Sequence, residues 1–575
     1  MLTWIELALV LIALVMAFVC PNVGTNWLGK AEQCFGRLAR RQGLAPLVVG
    51  LLALCARAAL LPLLPVPQPS VNDEFSHLLL ADTLAHGRLT NPTHPMWIHF
   101  ETFQVIMEPT YASMYPPAQG LVLAAGQVLA GKPFFGVWLS VGVMCAAICW
   151  MLQAWVSPEW ALLGGLLAVL RLGMFSYWSD SHWGGAVAAI GGALLLGALA
   201  RVMRFERCRD VILMGLGLLI LANSRPYEGF VFSLPVAFAL FIWIFGRSGA
   251  FWERFQHVVV PLTSIILLGA LATAYYCWRV TGNPLLMPQQ VDRQTYAVAP
   301  YFIWQHPRPQ PVYNHKEMRD FYLHNELGFY KQTRTFETLV AVWIVRIAHI
   351  WCFYLGTVLT LPLIVAIAIS SHGSTWRDLQ KQTRFLLVLV AVSIAGLMAE
   401  VFFFPHYAAP MACVIIALVL LAMRETRVWR WRNKPVGLFL TRAIPIICLF
   451  MVALRVGATP LHLPLTPSWP PSWYNSTSVE TGRARILAEL QGSPGDHLVI
   501  VHYNSPSKLK YDWVYNEADI DNARVVWARD MCRTANKELT DYFSGRHVWL
   551  VEPEEDFEES PKLSPYPSHS GSGGE

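Results

Sequence analysis

Charged residues are scarce in this sequence. Asp, Glu, Lys and Arg make up only 14% of its 575 residues, whereas 55% are hydrophobic and the mean hydropathy is +0.41. Soluble domains carry about a quarter charged residues, so the composition excludes an ordinary soluble enzyme and indicates an integral membrane protein. The formal net charge of +5 is unremarkable for that class, and the basic residues are expected to set the topology rather than to bind nucleic acid.

Cysteine pairs and the common cofactor motifs are also missing. The eleven cysteines are scattered, only Cys532 falls in the long C-terminal polar region, and no CxxC or Cys/His pattern suggests zinc. The sequence contains neither a P-loop nor a G-x-G-x-x-G motif, so it predicts no nucleotide site of either type. No carboxylate cluster demands a metal, and the need for a divalent ion is left open.

Long apolar segments are what the sequence has in quantity. A bilayer crossing takes about 20 residues, and the stretch 118–131 is too short, so we interpret it as interfacial. The predicted fold class is therefore an α-helical polytopic membrane protein with about twelve transmembrane helices. The candidate spans lie near 2–20, 45–64, 134–155, 158–178, 183–200, 210–223, 227–246, 257–278, 347–370, 385–403, 408–424 and 438–457.

Lysine and arginine residues predict the orientation. The loops 21–44 and 201–209 are rich in them, whereas the stretch 66–117 contains only Arg88. Basic loops stay on the cytoplasmic side, which places 66–117, 279–346 and everything after 458 outside. With twelve spans both termini lie outside, and the loop charges favour a bacterial inner (plasma) membrane.

Changes in composition suggest the domain boundaries. Residues 1–44 would form an extra N-terminal span and a basic cytoplasmic loop, followed by a transmembrane domain at 45–457 with outer loops 66–117 and 279–346. A linker at 458–480 is rich in proline and serine. Residues 481–552 alternate helical and strand-like patterns, as in a small α/β domain outside the membrane. The tail, 553–575, is typical of disorder.

A carboxylate pair opens the first outer loop. Asp73 and Glu74 begin a helical pattern that runs from Asn72 to about Ala85 and ends before Gly87. Asn72 or Asp73 would make a good helix N-cap. The pair is therefore either a solvated cap or a catalytic group, and both readings remain open at this point.

Polar residues also stand out in three later motifs. Asp180 lies in SYWSDSHWGG and could simply cap the next helix, while His406 and Tyr407 lie in the turn PHYAAP. Arg225 and Glu228, in NSRPYEG, interrupt an apolar run, where charge is costly unless it is paired or faces a cavity. They form either a structural ion pair or, through Arg225, a site for a lipid phosphate.

Together these motifs resemble a known family. A first outer loop that opens with Asp-Glu on a short helix and continues through HGRLTNP to YPP is similar to the GT-C superfamily of polyprenyl-phosphate-dependent glycosyltransferases. The resemblance covers about 45–425 and is greatest for the branch of protein O-mannosyltransferases and the aminoarabinose transferase of lipid A. SDSHWGG, SRPYEG and PHYAAP fall where that branch has a second-loop aspartate, a helix break and a late turn. Tyr115 and His406 depart from it, since the family often has Lys and Arg there.

The resemblance implies a GT-C-like fold and an inverting glycosyl transfer, of a hexose or pentose, at the outer membrane face. The donor would be a sugar on polyprenyl phosphate and the acceptor a glycan, a lipid or a protein. Asp73 would act as general base, Asp180 would orient the acceptor or support Asp73, and Glu74 would be a supporting carboxylate of the same site. The donor-binding residues would be Arg225, His77, Tyr115, His406 and Tyr407.

Two other functions suit parts of the sequence. A multi-span transporter or lipid flippase would equally use twelve spans, although we detect no two-half symmetry and the polar residues concentrate in outer loops. The C-terminal domain could instead be a receptor or glycan-binding module anchored by the spans, but twelve spans exceed what an anchor needs.

Overall fold

The structure is a computed structural model that describes residues 1–246, 251–370, 380–458, 460–463, 471–474, 481–504, 512–553 and 561–567. Much of the predicted linker, 458–480, lies outside the described residues. The chain divides into two compact units, each built from three stretches. The first comprises Met1–Val66, Phe135–Leu271 and Glu337–Thr477, and the second comprises Pro67–Phe134, Ala272–Phe336 and Ser478–Glu575.

Long apolar helices dominate the first unit. In the described part of the chain nine helices are long and apolar enough to cross a membrane, or up to ten if Thr25–Ala39 and Leu44–Ala59, bent by 109° at their junction, form one span. This confirms the prediction of an α-helical polytopic membrane protein, while the count of twelve spans stays a prediction. The nine are Leu2–Val19, Phe134–Leu152, Ala186–Phe205, Pro226–Phe245, Phe251–Thr281, Phe336–Ile369, Lys381–Ala399, Pro405–Val428 and Val436–Gly457.

Two predicted spans contain helices shorter than the roughly 20 residues that a bilayer crossing takes. The segment 158–178 forms the helix Pro158–Ala168 and a π-helical turn, Val169–Gly173, and the segment 210–223 forms Cys208–Ala222. The helix Cys208–Ala222 ends just before Pro226, because the proline begins the next helix.

A buried ion pair connects the first helix to the rest of this unit. Glu6 accepts hydrogen bonds from Arg171 Nη1 and from the Val358 amide, both at 3.2 Å, and the two charged side chains are almost fully buried. Gly356 stands beside them with a φ of +60°, and a Cβ there would lie 2.6 Å from Arg171 Nη2. The glycine is needed both for its backbone conformation and for this close approach.

The second unit begins with the helix Asn72–Ala85, here called the Asp73 helix. Its bounds agree with the prediction, but the N-cap is Val71, so the expected cap at Asn72 or Asp73 is wrong. Glu74 Oε2 accepts the amide N–H groups of Ser70 at 2.9 Å and Val71 at 3.3 Å. The glutamate side chain reaches back over the first turn, as in a capping box.

Short elements complete the outer loops of this unit. The strands β1 (Val105–Ile106) and β2 (Ala112–Ser113) pair in antiparallel fashion. The stretch interpreted as interfacial forms a helix of 14 residues. The helices of these loops are Trp97–Phe100, Pro117–Ala130, Pro288–Thr295, Lys316–Asp320, the π-helical turn Phe321–Glu326 and Leu327–Lys331.

A four-stranded sheet forms the C-terminal part. Its strand order is β4-β3-β5-β6, in which β3 runs parallel to β4 and β5, and β6 runs antiparallel to β5. The predicted helices and strands are all present. The strands are β3 (His497–Val501), β4 (Val525–Arg529), β5 (His547–Glu552) and β6 (Lys562–Pro565), and the helices are Gly482–Gly492 and Arg533–Tyr542.

The strand β6 corrects the prediction for the tail. It lies inside 553–575, which was expected to be disordered, and pairs with β5 from Lys562 opposite Glu552 to Pro565 opposite Trp549. Backbone hydrogen bonds along an open strand edge hold it, and such pairing leaves no signature in a polar, proline-containing composition. Residues 554–560 and 568–575 of the tail lie outside the described residues.

The sheet and the first outer loop share one hydrophobic core. This cluster joins side chains of the Asp73 helix and of β1 to side chains of β3, β4 and the helix Arg533–Tyr542. The C-terminal domain therefore packs directly on the helix that carries Asp73. Its members include Phe75, Leu79, Phe100, Val105, Leu498, Tyr515, Val526, Leu539 and Phe543.

Candidate functional site

Asp73 occupies the first turn of its helix and is half-buried. The Tyr115 hydroxyl donates a hydrogen bond to Asp73 Oδ1. The ring of Tyr115 stacks on His77, with 4.3 Å between ring centroids and 24° between planes. Two of the predicted donor-binding residues, His77 and Tyr115, thus lie beside the predicted base.

This arrangement suits an ionised carboxylate. The first turn of a helix carries partial positive charge from its unpaired N–H groups, which stabilises an anion there. A hydroxyl that donates to a carboxylate forms a strong, charge-assisted hydrogen bond. Because Glu74 supplies the capping interaction, the Asp73 side chain is not needed as the cap of the helix.

Glu74 has a different environment from Asp73. It is only 2% exposed and its carboxylate accepts two backbone N–H groups, together with the Ser70 hydroxyl at 3.4 Å. These contacts describe a group that shapes the start of the helix. Its predicted place among the catalytic carboxylates stays a prediction.

Asp180 lies in the first unit and is paired with an arginine that the sequence analysis missed. Arg57 Nη2 donates to Asp180 Oδ1 at 3.1 Å, and both side chains are buried. Arg57 also donates to the carbonyl oxygens of Leu64 at 2.8 Å and Ser179 at 3.3 Å. A lone arginine inside the apolar segment 45–64 was the signal that could have found this pair.

Arg225 is paired with Glu228 but remains partly exposed. Its Nη1 lies 3.6 Å from Glu228 Oε1, and its guanidinium carbon lies 4.2 Å from the centroid of the Tyr407 ring. The Arg225 side chain keeps 21% of its surface exposed, against 8% for Glu228. Arg225 is therefore paired but not closed off, and its role in binding the donor stays a prediction.

His406 and Tyr407 belong to the 3₁₀ segment Pro405–Met411. His406 is buried, and its Nδ1 lies 2.8 Å from the Tyr177 hydroxyl. The Trp183 ring meets His406 edge-on at 4.8 Å. This packing fixes the turn and holds the Tyr407 ring against Arg225.

Two further charges near this turn were also missed. Arg346 donates to the backbone carbonyls of Leu397, Glu400 and Val401 at 2.7–2.9 Å. Glu400 interacts electrostatically with Glu228, Arg225 and Arg346. Both residues stand at the edges of apolar segments, where an ionisable side chain is a functional or structural signal.

The side chains of the site were compared with metal-binding groups, and the sequence with known proteins. Among the described residues no group of three or more His, Cys, Asp and Glu side chains could hold a metal ion. The chain matches no protein-family model and no curated protein sequence.

Solved structures do resemble the fold. ArnT from Cupriavidus metallidurans in the apo state is 12% identical, with a TM-score of 0.46 and coverage of 92% of this chain and 93% of ArnT. ArnT bound to undecaprenyl phosphate is 11% identical, with a TM-score of 0.45 and the same coverage. The Archaeoglobus fulgidus oligosaccharyltransferase tethered with an acceptor peptide is 10% identical, with a TM-score of 0.46 and coverage of 88% and 68%. At this identity the likeness concerns the fold alone, and the function proposed below rests on the residues of this chain.

Proposed function

We propose that this integral membrane protein is a GT-C-type glycosyltransferase that moves a sugar from a polyprenyl-phosphate donor to an acceptor at the outer membrane face. The observation that carries the proposal is the hydrogen bond from Tyr115 to Asp73 at the first turn of a helix whose start is already capped by Glu74. A general base must be ionised before the acceptor arrives, and both the helix N-terminus and the Tyr115 hydroxyl favour the anionic form of such a carboxylate.

The reaction follows from that assignment. Asp73 takes the proton of the acceptor hydroxyl, and the acceptor oxygen forms a bond to the anomeric carbon while the bond from that carbon to the phosphate oxygen breaks. The polyprenyl phosphate leaves with the electron pair. Because the phosphate is already a stable anion, the leaving group needs no strong general acid. A single displacement of this kind inverts the anomeric configuration.

Arg225 is the proposed contact for the donor phosphate. Arginine binds phosphate oxygens through its planar set of donors, and Arg225 retains exposed surface next to the Tyr407 ring. His406 would fix the turn that holds Tyr407, and His77 would support Tyr115. Asp180 is proposed to act through its pairing with Arg57, as an orienting rather than a proton-accepting group.

The proposed setting is a bacterial inner membrane, with both termini and the Asp73 helix outside. The partners are the membrane lipid, the lipid-linked sugar and a glycan, lipid or protein acceptor. No cofactor beyond the donor lipid is required by this scheme, and a divalent metal is left open.

The test is sugar transfer in membranes that carry the protein, supplied with a panel of radiolabelled undecaprenyl-phosphate hexoses and pentoses. Asp73→Asn should lower the transfer rate by about 10²–10⁴-fold, the usual effect of losing a general base. The matched control is Asp82→Asn on the same helix. The Asp82 carboxylate accepts from the Ala518 amide at 2.8 Å and from Gln127 Nε2 at 2.9 Å. An asparagine oxygen keeps the first contact, and the Gln127 side-chain amide can turn its oxygen toward the new NH₂ group.

Two outcomes of this assay would contradict parts of the proposal. Near-parental transfer by Asp73→Asn would remove Asp73 from the mechanism and make Asp180 the next candidate base. If the label crossed the bilayer without entering a new glycosidic product, the protein would be a transporter.

A further inference from the structure

The first turn of the Asp73 helix is held in place by contacts with the C-terminal domain. Asn72 and Phe75, the residues on either side of the Asp73–Glu74 pair, are 7% and 8% exposed. Asn72 Oδ1 accepts the Asp512 amide at 3.2 Å. The turn that carries the proposed base is therefore fixed by residues more than 400 positions later in the sequence.

Phe75 is enclosed by two side chains of that domain. Tyr515 stacks on its ring almost in parallel, with centroids 4.4 Å apart and 7° between planes. The guanidinium of Arg483 lies 4.7 Å from the centre of the same ring and 4.5 Å from that of Trp527. The aromatic stack and the cation–π contact both depend strongly on geometry, so they restrict how the Asp73 helix can rotate or slide.

Arg483 is a buried arginine whose contacts are with aromatic rings and backbone carbonyls. It is 8% exposed, and in the described part of the chain it forms no ion pair but donates to the carbonyl oxygens of Trp513 at 2.9 Å and Tyr515 at 2.8 Å. Burial lowers its pKa to about 10. A buried charge without a carboxylate partner is costly, and here its contacts join Tyr515 and the Asp73 helix.

Tyr515 is also near the Asp73 carboxylate itself. Burial first, and then the negative charges of Asp512 and Asp73, raise the pKa of Tyr515 well above its usual value. The Tyr515 hydroxyl donates to the carbonyl of Phe103 at 3.3 Å, which anchors the ring at its far end. The ring thus has a fixed place between the C-terminal domain and the first turn.

We infer that the C-terminal domain is a positioning element of the reaction, in which Tyr515 and Arg483 set the orientation of Asp73 through Phe75. This inference rests on the proposed function. Neither residue contacts the reacting atoms, so both are positioning residues and not catalytic ones. A carboxylate displaced by about 1 Å from its productive place can cost about 10²-fold in rate, while donor binding needs no change.

The test uses the full-length protein in liposomes and the same panel of radiolabelled undecaprenyl-phosphate sugars. Tyr515→Ala should lower kcat by about 10–100-fold with the KM for the donor lipid changed by less than about threefold. Tyr515→Phe keeps the ring on Phe75 and should restore kcat to within about threefold of the parent. Hydrogen exchange of the amides at 72–76 should be faster in Tyr515→Ala and parental in Tyr515→Phe.

The matched control is Leu490→Ala. Leu490 is 1% exposed and belongs to the other hydrophobic cluster of the C-terminal domain, with Ile486, Val499 and Val551. It should lower the unfolding temperature while kcat and exchange at 72–76 stay parental. Parental kcat in Tyr515→Ala, or an equal loss of kcat in Leu490→Ala, would overturn the inference.

Asp73→Asn, measured in the same assay, distinguishes a failure of the proposed base from a failure of the positioning inference. If that variant transferred sugar at the parental rate, the assignment of Asp73 as general base and with it this inference would fail, while the proposed sugar transfer would stand. If it were inactive while Tyr515→Ala worked normally, the inference alone would fail.

Discussion

At the scale of single residues, four arginines of the first unit differ in how much of the side chain is exposed and could contact a ligand. Arg57, Arg171 and Arg346 are 1–4% exposed, and each donates hydrogen bonds to carboxylates or backbone carbonyls of the protein. Arg225 keeps 21% of its side chain exposed and has a longer contact, 3.6 Å, to its carboxylate. Among these four cations only Arg225 combines charge with access, which is the reason for placing the donor phosphate there.

A prediction for Arg225 follows from this comparison. Arg225→Gln should weaken binding of undecaprenyl phosphate at least about tenfold, since a hydrogen bond to a charged group contributes about 1.5–3 kcal/mol. Glu228→Gln removes the competing carboxylate and should bind the lipid at least as well as the parent. Binding is measured on purified protein in detergent by titration with undecaprenyl phosphate. Parental binding in Arg225→Gln, with a lower unfolding temperature, would identify a purely structural pair.

A second residue-scale prediction concerns Arg57 and Asp180. Arg57→Gln leaves a buried carboxylate without its cation, which typically costs about 3–5 kcal/mol. The double variant Arg57→Gln/Asp180→Asn has no unpaired charge and should recover most of that loss. Thermal unfolding in detergent measures both. A double variant no more stable than the sum of the two single losses would mean that the pair is not coupled.

At the scale of elements, periodicity predicted those helices and strands whose bounds depend on their own local sequence. The bounds of the Asp73 helix, and the order of helices and strands after 481, follow from local pattern and turn residues. The strand β6 did not, because its only support is the edge of β5. The N-cap was missed for a local reason: Glu74, at the third helical position, bonds the backbone N–H groups of Ser70 and Val71, and neither Asn72 nor Asp73 is the cap.

The site shows the same division. Asp73, Asp180 and Arg225 could be singled out as candidates from local sequence and the family resemblance, and their roles stay predictions. The pairings could not be predicted, since Arg57 lies 123 residues from Asp180 and Tyr115 lies 42 residues from Asp73. Long-range packing decides such pairs, and a single sequence does not record it.

The helix Pro288–Thr295 in the second outer loop carries a buried acid with an incomplete set of partners. Asp292 is 1% exposed, and its Oδ1 has no hydrogen-bond partner among the described residues. Burial raises the pKa of Asp292 to about 7, with Arg293 opposing the shift and Glu326 adding to it. Arg293 itself is committed to Glu326, with Nη1 to Oε2 at 2.6 Å.

This environment predicts how stability depends on pH. An acid whose pKa is higher in the folded state than its unfolded value of about 4 stabilises the fold when protonated. That contribution falls as pH rises from about 4 to about 7 and is absent above that range. Asp292→Asn should remove this loss, so its unfolding temperature should gain on the parent as pH rises. The exposed Asp541→Asn is the control, and a parental pH dependence in Asp292→Asn would contradict the prediction.

At the scale of the whole molecule, the distribution of basic residues predicts the orientation of the chain in the membrane. The loop 201–209 holds four arginines, whereas the stretch 66–117 holds only Arg88. Loops rich in lysine and arginine remain on the cytoplasmic side. The Asp73 helix and the C-terminal domain should then face the outside, where a lipid-linked donor presents its sugar.

Exposed native cysteines make that orientation testable. Cys34 and Cys208 are exposed within the predicted basic loops 21–44 and 201–209, Cys34 on the helix Thr25–Ala39, and Cys532 is exposed in the C-terminal domain. Val312, 97% exposed in the second outer loop, accepts a fourth probe as Val312→Cys. In single-cysteine variants expressed in bacteria, a membrane-impermeant thiol reagent added to intact cells should label positions 532 and 312. Cys34 and Cys208 should react only after the membrane is opened, because the positive-inside rule keeps their loops in the cytoplasm. The reverse pattern would put Asp73 on the cytoplasmic side, away from a donor at the outer face, and would contradict both the topology and the proposed site of transfer.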